Sequence, residues 1–245
     1  MIVGGASGMA RATAERLHQA GATIAILDLE TSNGAEVAKT MGGTFHACDV
    51  MDAEGTEHAV NDAVSALGAL HIAVNTAGGG GAQRTISKKG PYPLEDFRRI
   101  IELNLIGTFN LNRLQAWHMN DNEPNEGGER GVIINTASIA AFEGQIGQVA
   151  YSAGKGGIAS MMLPMARDLG SLGIRVMAIA PSLFQTGATA RVPPEKQAEL
   201  TRDCAFPKRM GLPDEYARLA QAIVETPMLN GSTIRLDAGV RFAPK

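Results

Sequence analysis

The sequence predicts one α/β domain built on a parallel sheet, and two observations support this. Short apolar runs alternate with longer amphipathic stretches along the chain, which is the order expected when each strand is followed by a helix. The 245 residues are enough to bury a substantial core, and no change of composition marks a linker that would divide them. We therefore expect a single domain that spans residues 1–245.

Seven apolar runs are the candidate strands. They lie at residues 1–3, 23–27, 44–47, 71–74, 131–135, 174–180 and 233–236. The first run is short, because only three residues precede Gly4, whereas a strand in the middle of a sheet usually has about five or six. We therefore expect a truncated first strand, or a translation start upstream of Met1.

Amphipathic stretches between these runs predict the helices. The last one, residues 213–225, begins with a proline and two acidic residues, which suit the first turn of a helix. Two segments interrupt the alternation. Residues 78–93 are rich in glycine and basic side chains, and residues 120–130 are polar and predict a solvated loop.

Composition argues against several classes of protein. Hydrophobic residues make up 44% of the chain and charged residues 19%, with a net charge of -3, which is ordinary for a soluble enzyme. A strongly basic face is not evident, so neither nucleic acid nor an anionic membrane is expected as a partner. With neither a long apolar run nor a secretion signal, we expect a cytoplasmic protein without a membrane span.

Cysteines and histidines show no metal-binding pattern. Cys48 and Cys204 are far apart in the sequence, which favours a reduced intracellular compartment, and neither has the spacing of a metal ligand. The five histidines form no ligand pair. We therefore expect no metal site.

A glycine-rich turn follows the first strand. The segment Gly4-Gly5-Ala6-Ser7-Gly8-Met9-Ala10 precedes a helical stretch at residues 11–20. Glycines let the backbone approach a pyrophosphate closely, and the amides at a helix N-terminus favour its charge. Such a turn alone is weak support for a nucleotide site, but its position between a strand and a helix strengthens it.

Asp28 ends the second strand, about 20 residues beyond this turn. A carboxylate there can accept hydrogen bonds from an adenosine ribose, and it would repel the 2′-phosphate of NADP. Neither Leu29 nor Glu30 offers a compensating positive charge. We therefore expect NAD as the cofactor, with the alternative that Asp28 only caps the turn into the next helix.

Tyr151 and Lys155 are four residues apart, and Ser138 lies thirteen residues before Tyr151. On a helix, positions i and i+4 share a face, so the ammonium can lie beside the phenol. A free tyrosine has a pKa of about 10, and a nearby positive charge would lower it and make the side chain a proton acceptor near neutral pH. Alone, such a pair is far more often a surface tyrosine beside a solvated lysine, and the rest of the chain decides between the two.

The motif positions are Gly4-x-x-x-Gly8, Asp28, Asp49-Val50, Asn75-Thr76-Ala77-Gly78, Asn104, Ser138, Tyr151 and Lys155. This set resembles that of the short-chain dehydrogenase/reductase family, and the resemblance covers essentially the whole chain. It implies a Rossmann-type, doubly wound sheet of seven parallel strands in the order 3-2-1-4-5-6-7, with helices on both faces. It also implies an NAD-dependent enzyme and a homotetramer.

The resemblance assigns catalytic roles. Tyr151 would move the hydroxyl proton during hydride transfer, and Ser138 would hold the same oxygen. Lys155 would lower the pKa of Tyr151 and bind the nicotinamide ribose. Asn104 could position a water that relays protons to Lys155.

The resemblance also assigns cofactor contacts. They are Gly4, Ser7, Gly8 and Met9 in the phosphate turn, Asp28 at the adenosine ribose, Asp49 and Val50 at the adenine, Asn75, Thr76, Ala77 and Gly78 along the crevice, and Pro181, Phe184 and Thr186 near the nicotinamide. Alternatives stay open for three of these positions and for Asn104. Asn75 and Asn104 could be structural amides, Asp49 a helix cap, and Phe184 a core residue of a lid.

Further stretches resemble a narrower branch, the type-2 3-hydroxyacyl-CoA dehydrogenases, also called type-10 17β-hydroxysteroid dehydrogenases. These stretches include residues 131–138, 163–169 and 229–237. The branch implies a short or branched 3-hydroxyacyl-CoA as substrate and a place in fatty acid metabolism. A 3-oxoacyl-carrier-protein reductase and a hydroxysteroid or other alcohol dehydrogenase are alternatives, and so is a dinucleotide-binding scaffold with a vestigial site.

Substrate contacts are less well defined by the sequence. Residues 182–212 mix apolar side chains with prolines and charges, which is consistent with a partly apolar lid over an acyl chain. Its apolar members are Leu183, Phe184, Val192, Leu200, Phe206 and Met210. Gln145 and Gln148 are candidate polar contacts near the substrate carbonyl, although solvent-facing glutamines are as plausible.

Overall fold

The computed structural model describes residues 1–187, 189 and 192–243. Within them, seven parallel strands form one sheet in the order β3-β2-β1-β4-β7-β8-β9. The strands of this sheet are β1 (Ile2–Val3), β2 (Ala25–Asp28), β3 (Thr44–Ala47), β4 (Ile72–Asn75), β7 (Gly131–Thr136), β8 (Ile174–Pro181) and β9 (Thr233–Leu236). A separate antiparallel hairpin pairs β5 (Ile86–Ser87) with β6 (Gly90–Pro91).

Helices connect these strands. They are α1 (Gly8–Gln19), α2 (Gly34–Thr40), α3 (Ala53–Leu67), α4 (Leu94–Ile101), α5 (Gly107–Asn120), α6 (Ala140–Glu143), α7 (Val149–Leu169), α8 (Pro194–Leu200) and α9 (Pro213–Glu225). A π-helical turn, Glu102–Ile106, joins α4 to α5, and a 3₁₀ turn, Gly170–Leu172, follows α7. Among the described residues, no helix combines the length and the apolar character that crossing a membrane requires.

The sheet has an apolar core on each face, because side chains alternate along every strand. In β7, Ile133 packs into one core, whereas Val132 and Ile134 pack into the other. Buried side chains of α3, α5 and α7 complete the first core, and those of α1, α2 and α9 complete the second. Helices therefore cover both faces of the sheet.

The predicted strand order is confirmed once the hairpin strands are left out of the count. The first strand is short, as expected, and pairs through Ile2 and Val3 alone. Two features differ from the prediction. Helix α1 begins at Gly8, three residues earlier than expected, and the β5–β6 hairpin lies in a segment expected to be irregular. Two-residue strands are too short to produce a visible alternation of apolar and polar residues.

Candidate active site

A cavity of about 740 Å³ opens at the carboxyl ends of the strands, where ligands bind in doubly wound sheets. Sixteen of the predicted site residues line it. They are Gly4, Ser7, Gly8, Met9, Asp28, Asp49, Val50, Thr76, Ala77, Gly78, Ser138, Tyr151, Lys155, Pro181, Phe184 and Thr186. The fold therefore brings together residues as far apart in the sequence as Gly4 and Thr186.

The phosphate turn leaves backbone amides available to an anion. Ser7 is the N-cap of α1, but its side chain makes no capping hydrogen bond, and the first turn contains no acidic residue. Gly4 and Gly8 have φ angles of 79° and 56°, a region that favours glycine. A Cβ on Gly8 would lie 3.0 Å from the Thr186 methyl group. The turn thus lies close to Thr186 on one side, and on the other side it presents the backbone amides of the first turn of α1.

Asp28 is oriented by two backbone amides at the edge of the cavity. Its Oδ2 accepts a hydrogen bond from Ala6 N at 2.9 Å, and its Oδ1 accepts one from Leu29 N at 2.8 Å. The next helix, α2, has Asn33 as its N-cap residue, so Asp28 does not cap that helix. The carboxylate is tied directly to the phosphate turn.

Asp49 and Val50 lie on the neighbouring part of the cavity wall. Asp49 is exposed, and its Oδ1 accepts a hydrogen bond from Met51 N at 3.0 Å. The N-cap of α3 is Asp52, whose carboxylate accepts a hydrogen bond from Gly55 N. Asp49 is therefore not the helix cap that was considered as an alternative.

Tyr151 and Lys155 lie on the first two turns of α7, and the Nζ of Lys155 is 5.8 Å from the centroid of the Tyr151 ring. Lys155 is 3% exposed, and its Nζ donates to the Thr136 carbonyl at 2.7 Å. Burial lowers the pKa of Lys155 to about 8. Much of the lysine population is therefore neutral at mildly alkaline pH.

The pKa of Tyr151 departs from the sequence prediction. Burial raises this pKa above its ordinary value, and the hydrogen bond with Ser138 lowers it by less. In the protein alone, desolvation of the phenolate outweighs the hydrogen bond with Ser138, and the lowering of this pKa by Lys155 stays a prediction. The phenol stays protonated at neutral pH.

Two predicted amides lie behind the cavity instead of lining it. Asn104, in the π-helical turn, donates to the Gly79 and Ile100 carbonyls and accepts from Gly79 N. Both of its amide hydrogens are thus engaged, so Asn104 holds the glycine loop in place.

Asn75 is 3% exposed and bonds to a cluster of buried amide side chains. The cluster members are Asn112, Gln115 and Asn135. For Asn75, the structural alternative is correct.

Gln145 and Gln148 lie outside the main cavity and line a separate depression of about 450 Å³ with Arg84 and Gly147. Gln145 Nε2 donates to the Ala243 carbonyl at 3.1 Å, and Gln148 Oε1 accepts from Gln145 N at 2.9 Å. The two glutamines therefore brace the segment between α6 and α7, and their contact with a substrate carbonyl stays a prediction.

The predicted lid, residues 182–212, is apolar on its inner side only. Ala188, Ala190 and Arg191 lie outside the described residues. Phe184 and Met210 are buried, whereas Phe206 is 84% exposed. Phe184 both lines the cavity and packs in the core beneath it, so the cofactor and core assignments are compatible.

Sequence reasoning missed Thr136 and Gly80. Lys155 bonds to the Thr136 main-chain carbonyl, a group that every residue has and no motif reveals. A Cβ on Gly80 would lie 2.6 Å from Cδ2 of the Tyr151 ring. The glycine run at residues 78–81 indicates a close approach of this kind, but the sequence does not say to what.

Fold and site define a nucleotide-dependent oxidoreductase, and the comparisons with known proteins agree. The model of the short chain dehydrogenase family matches residues 1–197. The chain therefore belongs to the short chain dehydrogenase family. Members of this family bind a nicotinamide dinucleotide, and this chain is an oxidoreductase of that class.

Similar proteins cover the whole chain. Proteins from Bos taurus and Drosophila melanogaster, each called 3-hydroxyacyl-CoA dehydrogenase type-2, are 51% and 48% identical over 248 residues, which cover 100% of this chain and 95% and 97% of theirs. The crystal structure of 3-hydroxyacyl-CoA dehydrogenase type-2 from Mycobacterium avium has a TM-score of 0.94 and 40% identity, covering 99% of this chain and 95% of that one. A 7α-hydroxysteroid dehydrogenase complexed with NADH and 7-oxo glycochenodeoxycholic acid has a TM-score of 0.84 and 28% identity, covering 100% and 94%.

The residues of the cavity fit a nicotinamide dinucleotide. Free amides at the start of α1 match a pyrophosphate, and the Asp28 carboxylate can accept hydrogen bonds from a ribose. Lys155 bonds to one carbonyl, which leaves further N–H donors for a second ribose. With Ser138, Tyr151 and Lys155 together in this cavity, the alternative of a vestigial scaffold is not supported.

Proposed function

We propose that the chain is an NAD-dependent dehydrogenase that interconverts a 3-hydroxyacyl-CoA and the corresponding 3-oxoacyl-CoA. The observation that carries this proposal is the meeting of Ser138, Tyr151 and Lys155 in one cavity beside the phosphate turn. The relatives that are 48% to 51% identical over the full chain, each called 3-hydroxyacyl-CoA dehydrogenase type-2, support the choice of substrate.

Each site residue has its own role in the interconversion of a secondary alcohol and a ketone. Ser138 holds the substrate oxygen while Tyr151 takes the hydroxyl proton as the C–O bond becomes a carbonyl. The bound nicotinamide supplies the acceptor for the hydride that leaves the same carbon. In reduction, Tyr151 returns the proton to the developing alkoxide. Lys155 orients the nicotinamide ribose from below Tyr151.

The raised pKa of Tyr151 sets the pH dependence of the two directions. Oxidation needs the phenolate, so its rate rises with pH toward the pKa of Tyr151. Reduction needs the neutral phenol, which is the main form at neutral pH.

Asp28 supports NAD as the cofactor. Its carboxylate is fixed beside the phosphate turn by Ala6 N, where it would face the 2′-hydroxyl of NAD and repel the 2′-phosphate of NADP. The adjoining side chains are Leu29 and Glu30, which provide no positive charge.

Basic residues near the site support an acyl-CoA. Arg84, Lys88 and Lys89 are exposed on the segment that carries the β5–β6 hairpin. Gln83 N donates to the Gly147 carbonyl at 2.8 Å, which ties this segment to the chain just before α7. Coenzyme A carries several phosphate charges, whereas a steroid carries none. The basic segment therefore favours the acyl-CoA over the hydroxysteroid alternative.

A substrate panel with NADH tests the proposal. We expect the highest kcat/KM for a 3-oxoacyl-CoA, a higher KM for the pantetheine thioester that lacks the nucleotide, and lower activity with a carrier-protein thioester or a ketosteroid. Replacing Lys88 and Lys89 by glutamine should raise KM for the CoA thioester and leave KM for the pantetheine thioester unchanged. A preference for the carrier-protein thioester or the steroid would contradict the choice of substrate.

We also propose a homotetramer. Ile106, Phe109 and Trp117 are 47%, 48% and 69% exposed on and beside α5, and exposed apolar side chains grouped in this way are typical of an interface. Light scattering should give a mass of about four times 25.7 kDa, and Trp117→Glu should lower it. A monomeric mass for the unaltered protein would contradict this assembly.

A further inference from the structure

A chain of hydrogen bonds behind the cavity joins α9 to the carbonyl that holds Lys155. The hydroxyl oxygen of Tyr216 lies 2.7 Å from Thr136 Oγ1, and Tyr216 is 0% exposed. Thr136 Oγ1 donates to the Asn75 carbonyl at 2.8 Å. The carbonyl of the same Thr136 accepts the hydrogen bond from Lys155 Nζ. One residue thus links two strands, a helix of the opposite layer and the lysine of the site.

The hydrogen bonds of this series all donate in one direction, from the Tyr216 hydroxyl to the Thr136 hydroxyl and from there to the Asn75 carbonyl. A threonine hydroxyl has a single hydrogen, and that of Thr136 goes to the Asn75 carbonyl. The hydroxyl of Tyr216 is therefore the donor to Thr136 Oγ1. Burial raises the pKa of Tyr216, so this phenol stays neutral and remains a donor. Aligned hydrogen bonds in a buried site polarise and strengthen one another.

The Thr136 side chain forms its hydrogen bonds just beyond the point where the backbone pairing of β4 with β7 ends. Pairing between β4 and β7 ends at Asn75 and Asn135, one residue before Thr136. On that side, the Thr136 side chain continues the connection between the two strands by bonding to the Asn75 carbonyl. On the other side, Thr136 pairs with Ile179 of β8. The Thr136 carbonyl shares its peptide group with Ala137 N, which donates to the Ile179 carbonyl at 2.8 Å. The Thr136 hydroxyl and the Tyr216 phenol add a second restraint from the side of β4.

We propose that Thr136 and Tyr216 are positioning residues that fix the ammonium of Lys155 relative to Tyr151. Among the described residues, the Thr136 carbonyl is the one protein group to which Lys155 Nζ donates. A shift of that carbonyl therefore moves the charge that faces the Tyr151 phenol. This inference rests on the proposed function, because it assigns Lys155 a part in the reaction.

The test compares two substitutions at Thr136. Thr136→Val keeps the shape and removes the hydroxyl, whereas Thr136→Ser keeps the hydroxyl. We expect Thr136→Val to lower kcat for alcohol oxidation about tenfold, since small displacements of catalytic groups have large effects. The midpoint of its kcat–pH profile should move, because the distance between the Lys155 amine and the Tyr151 phenol sets how strongly the two groups couple in their titration. Thr136→Ser should restore the midpoint of the unaltered enzyme.

Tyr216→Phe removes the far end of the same chain, so its midpoint should move in the same direction by less. The double variant of Tyr216→Phe and Thr136→Val should have the same kcat and the same midpoint as Thr136→Val alone, since both changes break one series of hydrogen bonds.

Thr13→Val is the matched control. Thr13 is also 0% exposed, and its hydroxyl bonds to the Met9 carbonyl within α1. This control should lower the melting temperature and leave the midpoint unchanged.

The outcomes separate this inference from the proposed function. If Tyr151→Phe and Lys155→Ala lose turnover while folded Thr136→Val keeps the unaltered kcat–pH midpoint, the positioning role is wrong and the proposed function stands. If Tyr151→Phe itself keeps normal turnover, the proposed function is wrong. A fall in melting temperature without any change of midpoint would assign Thr136 and Tyr216 to stability only.

Discussion

The cofactor side and the substrate side of the cavity are built differently. On the cofactor side, the phosphate turn, Asp28 and Lys155 are held by backbone atoms of neighbouring strand ends. On the substrate side, the lid is exposed at Phe206, and the segment before α7, outside the main cavity, is braced by the bond of Gln145 to the Ala243 carbonyl. The bonds that hold Asp28 and Lys155 join residues 22 and 19 positions apart, whereas that of Gln145 spans 98 positions.

Tyr151→Phe should produce the largest effect, because Tyr151 lies where the two sides meet. Loss of general acid–base catalysis typically costs about 10² to 10⁴ in rate. We expect a loss of kcat in this range and unchanged NAD affinity, measured by steady-state kinetics and by titration of NADH fluorescence. Near-normal turnover would remove Tyr151 from the reaction, and a parallel loss of NAD affinity would mean that the two sides are not separable.

Lys155 should make stability depend on pH. Its pKa is about 8 in the folded protein, below the ordinary value of 10.5 for a lysine in water. The unfolded chain therefore binds more protons between these pH values, and stability rises with pH across that window. The difference of about two and a half pKa units corresponds to about 3 kcal/mol.

The free energy of unfolding, compared with that of Lys155→Met, measures this effect. Urea unfolding at several pH values between about 8 and 10.5 should show the unaltered protein gaining stability relative to the variant. A difference that stays constant with pH would mean that Lys155 is solvated and that the cofactor side is looser than described.

Asp28 should set the choice between NAD and NADP. Asp28→Ser removes the charge that would repel the 2′-phosphate and should reduce the preference for NAD by about tenfold or more. Glu30→Gln is the matched control, because Glu30 is exposed, carries the same charge and lies two residues away. The ratio of kcat/KM for the two cofactors measures the preference. An equal change in both variants would indicate a general charge effect instead of a contact with the ribose.

Local patterns predict the strands, the phosphate turn and Asp28, whereas the order of the strands and the remaining cofactor contacts follow from the resemblance to the family. The turn at Gly4 and the carboxylate of Asp28 are placed by the strands that precede them. Asn75 and Gln145 could not be placed in this way. An amide serves equally well in a buried cluster or in a cavity, and only long-range contacts such as those with Asn112 and Ala243 decide between them.

Ala238 offers the smallest effect and tests the substrate side. Ala238 has a φ of 53°, in the left-handed region, and its carbonyl accepts from Ala205 N and Phe206 N at the end of the lid. This conformation costs alanine roughly 1 kcal/mol more than glycine. Ala238→Gly should therefore raise the free energy of unfolding by about 1 kcal/mol.

Ala222→Gly should instead lower the free energy of unfolding, which provides a comparison. Ala222 is exposed in the interior of α9, where glycine costs about 1 kcal/mol. Urea unfolding of both variants gives the two differences under the same conditions. Stabilisation by Ala238→Gly with unchanged KM for the substrate would mean that the strain serves neither lid nor binding. A higher KM would mean that the rigid turn at Ala238 holds the lid for its substrate, which is the dependence on a distant segment that distinguishes this side of the cavity.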